Sequence, residues 1–245
     1  ANAQQHGVRI VGPRINVSQA DFSLARGEII VGFNAVKGLR ADFIQAILAA
    51  RQTGPFQDIY DFLARLAPRW HKAALLEPLF AVGAFDGLGY NRAELLVGLP
   101  GLLAGSEFTF QDPSLQPLIE RRPELPLGER LAKESEYLGV YLSGHPASQY
   151  QALRQRLGGE LVADLGPNQK VTLVVLLTRI RVVNTKKTHQ QMAFVTASDE
   201  SGSINLTVFA RQFAQYEKLL SRPNQVVVVA GQVELRNDEL EVIVN

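Results

Sequence analysis

The chain has 245 residues, 46% hydrophobic and 20% charged with a net charge of +1, enough to bury real cores and to form more than one domain. No run approaches the roughly 18 apolar residues of a membrane span, and no charged stretch leads into an apolar one, so neither a span nor a signal peptide is expected and no membrane partner is implied. The absence of cysteine excludes disulfides and thiolate zinc sites and fits a reducing, cytoplasmic setting.

The chain starts with Ala1, its only methionine is Met192, and the opening Ala-Asn-Ala-Gln-Gln-His-Gly reads as the end of a helix already under way. A piece of a longer protein is therefore expected. Gly7-Val-Arg-Ile-Val11 and Glu28-Ile-Ile-Val31 have strand patterns, with a turn at Gly12-Pro13 between them. Next comes Lys37-Gly38-Leu39-Arg40, followed by apolar residues at Phe43, Ile44, Ile47 and Leu48, whose spacing puts one helical face in a core. Thr53-Gly54-Pro55 closes that helix. A middle helix over 58–66 stops before Pro68, where Trp70 and His71 lead into a further helix over 72–82; Trp70 reads as a packing anchor rather than a base platform. Gly83-Ala84-Phe85-Asp86 makes a second hairpin, and Asn91 to Glu94 has the pattern of a capped helix start.

Residues 32–98 thus read as two helix-hairpin-helix units. Glycine leaves no Cβ between main chain and ligand, so the N–H groups opening the following helix are free to meet a phosphate oxygen, helped by the helix dipole. Candidate duplex-DNA contacts are Lys37, Gly38, Leu39 and Arg40 in the first hairpin and Gly83 and Ala84 in the second. The competing reading is that Gly38 and Gly83 only turn the chain, and the second hairpin, apolar and carrying Asp86, invites it.

Several strings resemble the end of the fingers and the tandem hairpin domain of the bacterial replicative DNA polymerase III alpha subunit. They are Gly7-Val-Arg-Ile-Val-Gly-Pro-Arg-Ile-Asn16, Gly32-Phe-Asn-Ala-Val-Lys-Gly38, Gly54-Pro-Phe56 with Asp61-Phe62, and Gly83-Ala-Phe-Asp86 with Leu88-Gly89 and Asn91-Arg92. Arg40 stands where that family usually has a second hairpin glycine, which implies either a wider turn or a phosphate contact of its own. Residues 99–126 are rich in Pro and Gly and read as linker. In the family such a region carries a short peptide for the sliding clamp. Here the nearest match is Ser106-Glu-Phe-Thr-Phe110, without the leading Gln, against a loop whose Phe108 and Phe110 pack on the protein's own surface. Lys133-Glu-Ser-Glu-Tyr-Leu-Gly-Val-Tyr-Leu-Ser-Gly-His-Pro146 resembles the segment joining the hairpins to the next domain. His145 within it has no Ser-His-Asp or metal-ligand spacing around it and reads as a turn residue before proline.

From 169 onward three strands, over 170–183, 191–198 and 203–209, precede a helix over 211–220 and two further strands over 225–233 and 239–244. That is the order of an OB-fold barrel. Arg181-Val-Val-Asn-Thr-Lys-Lys187, Met192-Ala-Phe-Val-Thr196 and Gly202-Ser-Ile204 strengthen the resemblance. Such barrels hold single strands by a positive groove with aromatic platforms. The candidates are Arg179, Arg181, Lys186, Lys187, His189 and Phe209, the last alternating outward with Asn205 and Thr207. The competing reading has Phe194 and Phe209 filling the barrel and the basic loop merely solvated.

The expectation is a multi-domain α+β chain in four parts: 1–31 the end of the fingers, 32–98 an all-α tandem helix-hairpin-helix domain, 99–168 a linker with helices, and 169–245 a five-stranded OB-fold β-barrel. The sequence offers no carboxylate set for two-metal nucleotidyl transfer and no Walker or Rossmann glycine pattern. By resemblance it is a DNA-binding piece of a DNA-directed DNA polymerase, itself inactive and without cofactor, whose parent would use Mg2+. Its partners would be double- and single-stranded DNA, with the sliding clamp and other replisome proteins as further candidates. The rival readings are a scaffold docking replication proteins and a hairpin-containing glycosylase, for which the catalytic Asp or Lys is missing.

Overall fold

The computed structural model describes residues 9–105, 107–185, 190–236 and 239–245, with only the backbone of Glu107 and Phe108. The chain divides into two compact units, one reaching to Ser143 and the other starting at Gly144.

The first unit opens with a three-stranded sheet of order β1-β3-β2, from β1 (Ile10–Val11), β2 (Ser23–Ala25) and β3 (Glu28–Ile30). Arg26 and Gly27 both have positive φ, 52° and 79°, which fits the two-residue turn that joins twisted antiparallel strands. The helices that follow are α1 (Ala41–Arg51), α2 (Ile59–Arg65), α3 (Ala73–Ala81) and α4 (Arg92–Ala104). Helix α1 buries Phe43, Ile44 and Ile47, the face its apolar spacing demands. Helix α2 starts on Asp58, whose carboxylate accepts the Asp61 N–H at 2.8 Å. Helix α4 starts on a capping box: Asn91 Oδ1 accepts the Glu94 N–H at 2.9 Å and Glu94 Oε2 accepts the Asn91 N–H at 2.9 Å. Arg65 braces the loop between α1 and α2, donating to Gly54 and Ala50 carbonyls and lying 4.5 Å from the Phe56 ring centroid.

The 99–168 segment does not behave as one linker. Helix α4 runs past residue 98, and the short α5 (Glu107–Gln111), the strap after it and α6 (Leu127–Leu138) complete the first unit. Gly98 and Gly101 on α4 let the strap come close, since a Cβ at Gly98 would meet Ile119 at 3.2 Å and one at Gly101 would meet Pro117 at 3.8 Å. The Tyr60 hydroxyl donates to the Pro117 carbonyl at 2.6 Å, and Leu102, Phe110 and Ile119 are buried in the core. Prolines here fix an extended strap rather than a free tether.

In the second unit a 3-10 turn (Pro146–Tyr150) and α7 (Gln151–Arg156) precede a closed barrel of order β4-β5-β6-β8-β7. Its strands are β4 (Lys170–Asn184), β5 (Gln191–Ser198), β6 (Ser203–Val208), β7 (Val226–Arg236) and β8 (Glu239–Val244), with α8 (Ala210–Leu220) between β6 and β7. The 15-residue β4 pairs with β7 along its first half and β5 along its second, and a register shift between Leu177 and Arg179 lets it bend from one to the other. The parallel β6–β8 pair closes the ring around Leu173, Val175, Val195, Leu206, Val233 and Val242. The expected order of strands and helix stands, each bound lying within a few residues.

Candidate nucleic-acid interface

The first hairpin is an exposed turn on a buried base. Phe33 and Val36 are buried and hold its base, while Lys37, Gly38 and Arg40 are exposed and Leu39 is half-buried. The Lys37 N–H donates to the Tyr137 carbonyl at 2.8 Å, which points its side chain away from the core. Gly38 has φ +92° and lies against α3, where a Cβ would sit 3.6 Å from Pro78 Cγ. Among the described residues the N–H groups of Gly38, Arg40 and Ala41 have no protein acceptor.

Arg40 is less available than its exposure suggests. Its guanidinium forks onto Asp42, with Nε–Oδ1 3.1 Å and Nη2–Oδ2 2.6 Å, and Asp42 Oδ1 also accepts the Phe43 N–H at 2.9 Å. The Arg40 hydrogen bond holds the Asp42 carboxyl below its usual range. A carboxylate thus occupies the start of α1, where an incoming phosphate would compete with it.

Beside this hairpin runs an open groove of about 650 Å³, lined by Arg40, Asp42, Gln45, Ala46, Ala49, Arg69, Trp70 and Lys72. Ala46 and Ala49 keep its α1 wall low. Trp70, 9% exposed, packs on Phe43 at 5.5 Å between centroids and anchors the far wall as a core residue, not a base platform. The Arg69 guanidinium stands 5.0 Å from the Trp70 ring centroid. Arg69 and Lys72 are exposed, and neither has an acidic partner among the described residues. Sequence reading missed both; the signal was two cations flanking a tryptophan in the short link between helices. His71 between them is structural, its Nε2 lying 3.0 Å from the Leu63 carbonyl.

The second hairpin does not offer the same surface. Gly83 and Ala84 are buried, and their N–H groups already donate to the Phe80 and Leu79 carbonyls at 3.1 and 2.9 Å. Their assignment as DNA contacts is corrected for that reason. Gly83 (φ +77°) instead makes room for a buried ion cluster, since a Cβ there would meet Arg92 Nη2 at 2.3 Å. Arg92 pairs with Asp86 at 2.9 Å and with Glu134 of α6 at 2.8 Å, and Glu134 also accepts the N–H groups of Leu142 and Ser143 at 2.7 and 2.8 Å.

Phe110, a candidate clamp contact, is 2% exposed, its ring tucked under Gly105 and edge-on to His71 at 5.6 Å. It is a core residue and is withdrawn from that role; the side chain of Phe108 lies outside the described residues.

On the barrel, Arg179 and Arg181 are exposed on β4, and Arg181 lies 5.4 Å from the ring centroid of Phe194 on β5. Phe194 does not fill the barrel, as the competing reading had it: it faces outward, 38% exposed. Phe209, 42% exposed, is outward as its alternation implied, and its carbonyl accepts the Phe213 N–H at 2.8 Å at the start of α8. Lys186, Lys187 and His189 lie outside the described residues.

His145 and Ser198 approach to 3.0 Å in the second unit, a pairing that invites a nucleophile reading. The imidazole Nδ1 accepts the Ala147 N–H at 3.1 Å, so in the neutral ring Nε2 carries the proton and donates to Ser198 Oγ. The ring cannot then take the serine proton, and it acts as a helix-turn cap. Burial pushes the His145 pKa down, while Glu200 and Asp199 oppose this. Because the folded value lies below the ordinary value of about 6.5, the stabilisation is present above that pH and is lost as pH falls from there through the folded value. Melting the chain between pH 7.5 and 5.5 shows a barrel transition that falls with pH, and His145→Asn, which keeps a capping acceptor, flattens it. An unchanged slope in the variant would remove His145 as the cause.

A family model described as a helix-hairpin-helix motif matches residues 7–95, and one described as an OB-fold nucleic acid binding domain matches residues 171–245. The chain is 34% identical to the DNA polymerase III subunit alpha of Bacillus subtilis (strain 168), over 99% of its own length and 23% of that protein. Over the length it covers, the chain is a relative of the DNA polymerase III alpha subunits. Those of Staphylococcus aureus (strain MRSA252) and Pseudomonas fluorescens are 32% and 31% identical, over 99% and 95% of this chain and 23% and 22% of their own length. The chain therefore spans about a quarter of the curated relatives it matches. Among the described residues, no three His, Cys, Asp or Glu side chains converge to hold a metal ion. No helix among them is long and apolar enough to cross a membrane.

Proposed function

We propose that this chain is a DNA-holding part of a replicative DNA polymerase, its helical unit gripping the backbone of duplex DNA and its barrel holding single-stranded template. The observation that carries the duplex reading is the groove in which Arg69 and Lys72, without acidic partners among the described residues, stand beside the free N–H groups of the first hairpin. Main-chain donors and unpaired cations suit phosphates, which position a duplex without reading its sequence. For the barrel, support comes from Arg179, Arg181 and Phe194 sharing one face. Nucleotidyl transfer, with its Mg2+, belongs in this proposal to parts of a parent protein outside the chain, working in the cytoplasm with further replication proteins.

Fluorescence anisotropy of the full chain against duplexes of unrelated sequence, over a salt series, tests the duplex reading. The expected result is equal affinity across sequences, with log affinity falling by about 0.9 per phosphate contacted for each decade of salt. Affinity insensitive to salt would overturn it in favour of a protein-docking scaffold.

A further inference from the structure

The barrel register sets two rows of residues on its outer side, each at least partly exposed except Thr207, which is covered to 1% exposure. One row runs Arg181, Phe194, Thr207, Ile243, Gln232; the next runs Arg179, Thr196, Asn205, Glu241, Glu234. Their neighbours Val195, Leu206, Val233 and Val242 point inward to the core, which fixes the face of both rows. Charge changes sign along the second row. At the β4 edge stand two arginines, with Phe194 beneath one of them; in the middle Thr196 and Asn205 lie 3.4 Å apart as neutral hydrogen-bonding groups.

Beyond them the surface is acidic. Glu241 accepts from Thr207 Oγ1 at 3.1 Å and meets Arg236 Nε at 2.8 Å, and the same arginine lies 3.7 Å from Glu234. One guanidinium shared by two carboxylates leaves that end negative, with Glu239 adding to it on β8. The next outward cation along the first row is Lys170, beyond Gln232 on the far side of β7.

Resting on the single-strand reading of the barrel, we infer that its face holds only a short stretch of single-stranded nucleic acid across β4, β5 and β6, and that Glu241 and Glu234 end the track. A phosphate continuing onto β8 would stand against carboxylates, whereas one over β4 meets arginine. Three strands about 4.8 Å apart span about 10 Å, the length of roughly three stacked nucleotides. The barrel therefore works as a brief clasp with a defined stop rather than a groove along which a strand extends, and its hold on template does not grow with the length of strand presented.

The test measures binding of the full chain to oligothymidylates of two to twelve nucleotides, with Phe194→Leu as the reference that subtracts binding elsewhere on the chain. In the unaltered protein the Phe194-dependent share of affinity is expected to rise to about three nucleotides and then stay level. In a protein carrying both Glu234→Gln and Glu241→Gln, the carboxamide oxygen at position 241 still accepts from Thr207. There the Phe194-dependent share keeps rising and reaches about five- to tenfold tighter binding on the longer strands. Glu234→Gln alone, at a half-exposed position, is expected to give about two- to threefold and serves if the double variant fails to fold. A share that keeps growing in the unaltered protein, or carboxamide variants that bind no tighter, overturns the inference. If Phe194→Leu binds every length as tightly as the unaltered protein, the single-strand reading itself fails and takes the stop with it, a result distinct from a wrong stop.

Discussion

Replacing Glu134 with alanine lowers the stability of the helical unit by about 3–5 kcal/mol, the cost of removing one partner from a buried ion pair. Glu134 has 0% exposure and accepts from Arg92, Ser143 and the Leu142 N–H, so its loss strands a buried guanidinium and two main-chain donors at once. Asp86, half exposed, still faces Arg92 but supports it from the solvent side only. Chemical denaturation followed by the fluorescence of Trp70, the single tryptophan, reports on this unit. Adding Arg92→Leu to the alanine variant recovers part of the loss, because no charge is then buried without a partner. A loss below about 1 kcal/mol would mean that the cluster is dispensable. The same carboxyl gives the unit an acid limit. Burial pushes its pKa up, but the bonds from Ser143 and Arg92 outweigh this and leave it below the ordinary carboxylate range. Its stabilisation is therefore full above the unfolded value of about 4.3 and is lost as pH falls through the folded one.

The Arg69→Ala, Lys72→Ala protein binds duplex DNA about 30- to 100-fold more weakly at moderate salt, as expected for two lost solvent-exposed phosphate contacts worth about 1–1.4 kcal/mol each. Its salt slope is shallower by about two, one for each phosphate released. Both side chains are exposed and without an acidic partner among the described residues, so the fold and the Trp70 signal should be unaffected. Arg40→Ala is expected to cost less, since that guanidinium is already half-neutralised by Asp42. Lys37→Ala should weaken binding uniformly across sequences, with the slope reduced by about one. Equal losses for Arg40 and Arg69 would mean that the Asp42 pair opens on binding. No loss for the double variant would move the duplex contact away from the groove.

Most of the architecture was legible in the residues. The spacing of Phe43, Ile44 and Ile47, the Asn91–Glu94 capping pattern and the alternation along β5 and β6 are local signals, and each produced the element it implied. The candidate interface was legible only in part. Lys37 and Gly38 stand as a turn with free donors, yet Arg40 is held by Asp42 two residues away, and Gly83 and Ala84 have spent their donors inside the fold. Phe110 and Phe194 carried the same apolar signal, and one went into a core while the other came to the surface.

The sequence by itself determined most of the elements, their order and the barrel, because hydrophobic period, capping and turn chemistry act over a few residues and are written in neighbouring positions. Tertiary structure alone decided which charges are free. Arg92 meets Glu134 from 42 residues away and is buried as a brace, while Arg69 and Lys72 come up against α1 with no acidic partner among the described residues to neutralise them. A charged side chain is a binding group or a brace according to whether the fold brings it an opposite charge out of water, and the partner that settles this has no fixed distance along the chain.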